Sequence, residues 1–334
     1  MMTKVNIIKN VVQCTAIALC MAIFTSCEKD PGDDAPNISM TVPPDEDGLF
    51  SMAGSGTITI DWGDGTVETK TLLAFNYDRA IPFDDDTYMF IHSYSDRSAH
   101  HTIKISGNNI THLTTGRKLI DSSPHSKTYT SINLTNLDVS GATNLIALDC
   151  WGNKLTRLDL SANKALKYLD CSHNALLKEL DVSNNTALTY LACIYIGISE
   201  LNLNANTALT YLQCSFNQLT QLDLSANTAL TELICHNNQL TELDLSTNTA
   251  LTTLHCNNNQ LMSLDFSNNP MLLNLYCHSN NLSTAALNAM FESLPNTTLR
   301  GLQGVVYAGS NPGSNYCDKS IAEVKGWIVY TDLF

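Results

Sequence analysis

The sequence predicts a mainly β solenoid with one parallel sheet, a small β-sandwich before it and an α/β cap after it. Two observations carry the solenoid. Cys150, Cys171, Cys193, Cys214, Cys235, Cys256 and Cys277 recur at spacings of 21, 22, 21, 21, 21 and 21 residues, and a leucine stands two places before each. A third observation carries the flanks: the hydrophobic period is that of strands before residue 118 and becomes helical after residue 282. A chain of 334 residues is also too long for one ordinary core.

The first 26 residues read as an export leader. Lys4 and Lys9 form a basic head, and residues 11–24 are apolar but interrupted by Gln13, too short for a mature membrane span. The run ends in Phe24-Thr25-Ser26-Cys27, which resembles a bacterial lipobox. That resemblance implies lipidation of Cys27, anchorage in the outer membrane and, through the acidic Glu28 and Asp30, surface exposure. Residues 27–37 have the polar, proline-bearing composition of a flexible tether. Without the leader the chain holds 16 basic against 32 acidic residues, which argues against nucleic acid as partner and against any membrane contact beyond the lipid.

Residues 38–118 alternate short β-rich runs with turns and predict the sandwich. At Gly63-Asp64-Gly65 two glycines permit positive φ in a tight hairpin, and Trp62 is placed to fill the core. IDWGDGT, followed by His92-Ser93-Tyr94 and HTIKISG, resembles the polycystic-kidney-disease-type (PKD-type) immunoglobulin-like domain. A calcium site built from Asp61, Asp64 and the run Asp84-Asp85-Asp86 lacks the spacing of a calcium loop, so these read as a turn and a solvated acidic loop.

The pattern L-x-x-L-x-C-x-x-N-x-L across residues 119–282 resembles the leucine-rich repeat. On a strand Leu and Cys two apart face the same side, so both point inward. The Asn three after the Cys can satisfy backbone groups where the coil turns its corner. Ile196 breaks that Asn column directly after the one coil with an extra residue, at Ala175-Leu176-Leu177, which predicts a local bulge. The seven thiols read as a buried spine, because in-register Cβ atoms ~4.8 Å apart exceed disulfide reach. Cys317 is expected to be buried as well. Each repeat also ends in L-x-L-x-x-N, which leaves no room for a long helix. Residues 283–334 predict a helix, a strand, a turn, a short helix and a final strand that close the last coil.

Function is expected on the outward columns. They carry Trp151, Tyr168, Tyr190, Ile194 and Tyr211 in the earlier coils, then Glu232, His236, His255, Tyr276 and His278. Rows of aromatic side chains suit binding surfaces. His236 and His278 share a column two coils apart, ~10 Å, too wide for one zinc. The column of Asp138, Asp159, Asp181, Asp223, Asp244 and Asp265, broken by Asn202, reads as a solvated ladder. No hydrolase, metalloprotease or phosphate-loop motif occurs, so the chain is expected to be non-catalytic, without cofactor or metal. The expectation is a monomeric, lipid-anchored envelope protein binding a host or bacterial surface protein. A glycan-binding accessory lipoprotein and a structural surface spacer are the alternatives.

Overall fold

Short strands, one per coil, line up in a single sheet. The computed structural model describes residues 35–74, 89–115, 118–123 and 126–332. The leader with Cys27, most of the tether, and Asp84 to Asp86 lie outside the described residues. The N-terminal strands are β1 (Ile38–Val42), β2 (Gly48–Asp61), β3 (Val67–Thr71), β4 (Met89–His92) and β5 (His101–Thr115). β2 pairs antiparallel with β3, β4 and β5, and β1 with β5. β6 (Lys118–Ser123) and β7 (Ser126–Thr130) make a hairpin of their own, and β8 (Asn136–Asp138) pairs with β1.

Trp62 organises the core of this region. It is 1% exposed, its ring stacks on His92 at 4.8 Å, and its Nε1 donates to Glu68 Oε1 at 3.0 Å. His92 Nε2 sits 2.7 Å from Asp64 Oδ2, and that hydrogen bond holds the Asp64 carboxyl down at about 2. Asp64 Oδ1 also accepts from the Thr66 amide and so closes its own turn. Gly63 has φ +81°, and a Cβ there would lie 2.5 Å from Thr102 O.

The coil strands are β9 (Ala147–Asp149), β10 (Tyr168–Asp170), β11 (Tyr190–Ala192), β12 (Tyr211–Gln213), β13 (Glu232–Ile234), β14 (Thr253–His255) and β15 (Asn274–Tyr276). All pair parallel in register, and β16 (Gly304–Tyr307) and β17 (Trp327–Tyr330) continue the series. The chain is therefore a mainly β leucine-rich repeat solenoid of about 21-residue coils, as its spacing predicts.

The N-terminal strands, expected as a β-sandwich before the repeats, lie in the same sheet as the coil strands. β5 leaves the N-terminal strands and pairs parallel with β9, His112 opposite Ala147 and Thr114 opposite Asp149. Thr115 then occupies the place that Cys150 holds in the next coil, and it is fully buried. The reason is that a first coil would otherwise expose its leucine core and a bare sheet edge. His112 is buried beside it, and desolvation lowers its pKa to about 4, so it sits there neutral. The start of the segment read as repeat from residue 119 contributes to the β6–β7 hairpin instead.

Two files of asparagine hold the coils together. In the first, Asn174 Nδ2 donates to Cys171 O at 3.0 Å and to Cys150 O of the preceding coil at 2.9 Å, while its Oδ1 accepts from the Leu155 amide at 3.1 Å. Asn153, Asn217, Asn238, Asn259 and Asn280 repeat the arrangement. In the second, Asn185 Nδ2 bridges Leu160 O at 3.0 Å and Asn163 O at 2.9 Å on the preceding coil, and Asn206, Asn227, Asn248 and Asn269 follow. Between the files the leucines and the seven ladder cysteines are buried. Each Leu side chain removed from water contributes roughly 1.5–3 kcal/mol.

The break at Ile196 is local. Elsewhere the amide of the leucine after the turn is received by the next coil's Asn, whereas the Leu177 amide donates to Asn174 O of its own coil at 2.9 Å. Lys178 takes a φ of 60° to complete that turn. The extra residue thus removes the need for the missing side chain.

The cap follows the expected order. Helix α1 (Thr284–Ser293) starts at Ser283, whose hydroxyl accepts from the Ala286 amide at 3.2 Å, and buries Leu287, Met290 and Phe291. Ala308 follows β16 where Cys follows the earlier strands, and Asn311 extends the first file with bonds to Cys277 O and Ala308 O. Helix α2 (Ser320–Glu323) leads into β17. Cys317 departs from expectation: it is only partly buried, because it lies in the cap turn, outside the coil interior, with its thiol on Ser314 O at 3.3 Å.

Candidate interaction face

Strand alternation sends the residues three before, one before and one after each Cys outward. Tyr168, Tyr190 and Tyr211 fill the first of these columns on β10, β11 and β12. Their rings stack face to face, 4.4 Å and 4.3 Å apart and within 12° and 2° of parallel. All three are partly buried, since each ring covers the next. Burial, and then the adjacent Tyr190, pushes the Tyr211 hydroxyl above its usual range, so it stays protonated and donates to Gln213 Oε1 at 2.8 Å.

A second stack lies in the column one before the Cys. His255, Tyr276, Tyr307 and Tyr330 follow one another at 4.1, 4.6 and 4.8 Å. Tyr307 and Tyr330 belong to the cap strands, which present no Cys to mark the column, and so the sequence reading missed them. The two stacks are offset by two residues along the strands, ~6.6 Å, so five of the ten candidate residues fall into two separate patches. Glu232 sits between the patches, its carboxyl raised by burial.

Trp151, Ile194, His236 and His278 occupy the third column. Burial lowers the pKa of His236, His255 and His278, and for His236 the two neighbouring histidines add to the effect. All three are therefore neutral near pH 7. Trp151 meets His173 edge-on at 5.2 Å, and His236 meets Phe216 edge-on at 5.1 Å. His173 and Phe216 were not among the expected site residues. They and Tyr195 stand two after their cysteines, at the corner where strand becomes turn. Together with Ile194, Gln213 and His236 they line a cavity of about 420 Å³.

Elsewhere the polar groups have structural employment. The Oδ1 atoms of Asp138, Asp159, Asp181, Asp223, Asp244 and Asp265 each accept the amide two residues on at 2.9 Å. Desolvation pushes every ladder thiol above its ordinary pKa, to about 12 at Cys214 and Cys277, which favours the neutral thiol. Among the described residues no group of three His, Cys, Asp or Glu is placed to hold a metal ion.

No family model and no curated protein matches the chain. Among solved structures it is similar to the functional domain of InlJ from Listeria monocytogenes, described as including a cysteine ladder, at 34% identity over 57% of this chain and 45% of that one, TM-score 0.45. The internalin InlF from the same organism matches at 25% identity over 52% of this chain and 51% of that one, TM-score 0.43. A leucine-rich repeat protein of Leptospira interrogans matches at 21% identity over 57% and 56%, TM-score 0.44. The chain spans about half the length of these structures.

Proposed function

We propose that this chain is a non-catalytic envelope protein that binds a protein partner through the outward columns of its strands. The observation that carries this reading is the tyrosine stack. Tyr168, Tyr190 and Tyr211 cover one another's ring faces, which a pyranose would need free to stack upon, and present a continuous strip of ring edges and hydroxyls. Such a strip, apolar with polar tips and already rigid, suits a protein surface better than a sugar. The high thiol pKa values support a role without nucleophilic chemistry.

The test compares wild type with Tyr190→Ser plus Tyr211→Ser in two parallel assays, a pull-down from surface-labelled cells and a glycan array. Protein capture should fall ~10-fold or more in the variant, with the array blank for both proteins. Equal retention would remove the face from consideration, and array signals lost in the variant would replace the protein partner by a glycan.

Cys27 as lipid attachment point and residues 38–118 as a PKD-type module belong to the same proposal, supported by the lipobox-like Phe24-Thr25-Ser26-Cys27 and by the IDWGDGT hairpin. Cys27→Ala should abolish incorporation of labelled palmitate and release the chain from the membrane fraction. Unchanged labelling would refute the anchor and leave the face untouched.

A further inference from the structure

The return side of each coil, away from the strand columns, is thin. It runs through an L-x-x-L-D segment that contains no helix, whereas the cap carries α1 there, and a helix with its side chains is ~10–12 Å across. The helix stands above the coils before it and closes one end of a groove of about 810 Å³, lining it with Ala289, Glu292 and Ser293. Leu222, Leu243 and Leu264 form the floor. They are 7%, 9% and 6% exposed, where Leu224 and Leu245, two places on, are 1% and 2% exposed.

The rim of this groove is carboxylate. Asp223, Glu242, Asp244 and Asp265 flank the leucines, Glu292 joins them from α1, and no Lys, Arg or His lines the groove. Successive coils bring such charges to within ~4.8 Å of one another. Hydrogen bonds from Ser225, Ser246 and Ser267 hold the three Asp carboxyls below their ordinary range, so they are ionised at neutral pH. Among the described residues every ion pair lies in the N-terminal strands, so none neutralises the rim. The cations of the adjoining cap are bonded to main-chain carbonyls, Lys325 to those of Phe291, Glu292 and Leu294, and Arg300 to that of Pro270. Glu292 also stands in the last turn of α1, at the negative end of the helix dipole, where a cation would stabilise and a carboxylate does the reverse.

A second groove of the same volume, earlier on the same side, supplies the contrast. Asp159, Glu179, Asp181 and Glu200 line it together with Arg157 and Lys178, so cations of the chain share that space. After Lys178 no Lys or Arg follows until Arg300. One groove is balanced from within and the other is not.

We infer that the groove between α1 and the leucine floor is a docking site for a lysine- or arginine-rich segment of a partner polypeptide. Such side chains match both of its parts, since the methylene stem lies along the leucines while the charged head reaches the rim. An acidic segment would add to the repulsion already present, and a small hydrated cation would leave the leucines uncovered. The site is a second surface, and it does not depend on the strand-face reading above.

Fluorescence polarisation on the full chain tests it, with two labelled peptides of equal length, Lys alternating with Ser and Glu alternating with Ser. The groove variant is Glu242→Gln plus Asp244→Asn plus Glu292→Gln. This chain already carries Asn202 at the place of Asp244, and Asn202 Oδ1 accepts the Asn204 amide at 3.1 Å, so the turn survives the change. The control, Glu179→Gln plus Asp181→Asn plus Glu200→Gln, removes the same charge from the other groove. Wild type should bind the Lys peptide at least ~10-fold more tightly than the Glu peptide, and more weakly as salt is raised. The groove variant should lose at least ~10-fold and the control less than ~2-fold. Tyr190→Ser plus Tyr211→Ser should bind the peptide as wild type does, so a failure of the strand face and a failure of the groove read out separately. The inference is overturned if the Glu peptide binds as tightly, if neither peptide binds, or if the groove variant binds unchanged. A loss as large in the control would reduce the effect to net charge and overturn it too, and full displacement of the peptide by ~1 mM calcium chloride would replace the polypeptide by a metal ion.

Discussion

Asn217→Ala should lower the free energy of unfolding by about 3–4 kcal/mol, more than the same change at Asn238. Asn238 accepts one amide, that of Leu219 at 3.1 Å, and donates to Cys214 O and Cys235 O. Asn217 donates to the corresponding pair, Cys193 O and Cys214 O, but accepts from three amides, those of Ile196, Gly197 and Ile198, at 3.2, 2.9 and 3.3 Å. The difference follows from Ile196, which has no side-chain amide to place in the file, so its own backbone N–H and that of Gly197 turn to Asn217. Each buried backbone group left without a partner costs ~1–3 kcal/mol, so the two variants should separate clearly in urea titrations. Equal losses would mean that water reaches the Gly197 turn and that Asn217 carries no special duty.

Phe291→Ala should cost about 3–5 kcal/mol and should act mainly at one end of the molecule. Phe291 is fully buried with Leu287 and Met290 on the inner side of α1, and Met290 Sδ lies 3.9 Å from Cys277 Sγ. Removing the ring opens a void over the last coil. Because coils contact only their neighbours, the damage should fade along the stack. Hydrogen exchange should show β14 and β15 losing protection first, with β9 and β10 little changed. Uniform loss in all coils would show that the solenoid unfolds as one unit.

Much of this architecture is readable from the chain because a coil must return to its starting point at constant length. The Cys column, the paired leucines and the Asn three places on each mark one geometric position, and repetition lifts them above chance. The expected bulge after Cys171 was readable for the same reason, as a single departure from a fixed count. The path of β5 was not readable. Its pairing of His112 with Ala147 joins a segment outside the repeat to one inside it, and nothing local in either stretch announces the other.

Tyr195 and Phe216 escaped for a different reason. They take left-handed φ values of 53° and 56°, at a position usually recognised by Gly, Asn or Ser. The clue was present in the same column, where Gly152, Asn237, Asn258 and Ser279 surround the aromatics. The orientation of Tyr168, Tyr190 and Tyr211 was also beyond the pattern, since a strand column fixes which side a ring takes and not whether it leans on its neighbour.

The two asparagine files have an evolutionary corollary. Every amide they satisfy belongs to the same coil or the adjacent one, so a tandem duplication of any 21-residue block would lengthen the protein by one strand spacing and leave both files unbroken. Deletion of a block would shorten it equally cleanly. The outward residues of each block would travel with it as a cassette, and specificity could be shuffled by gene-level copying without renegotiating the interior.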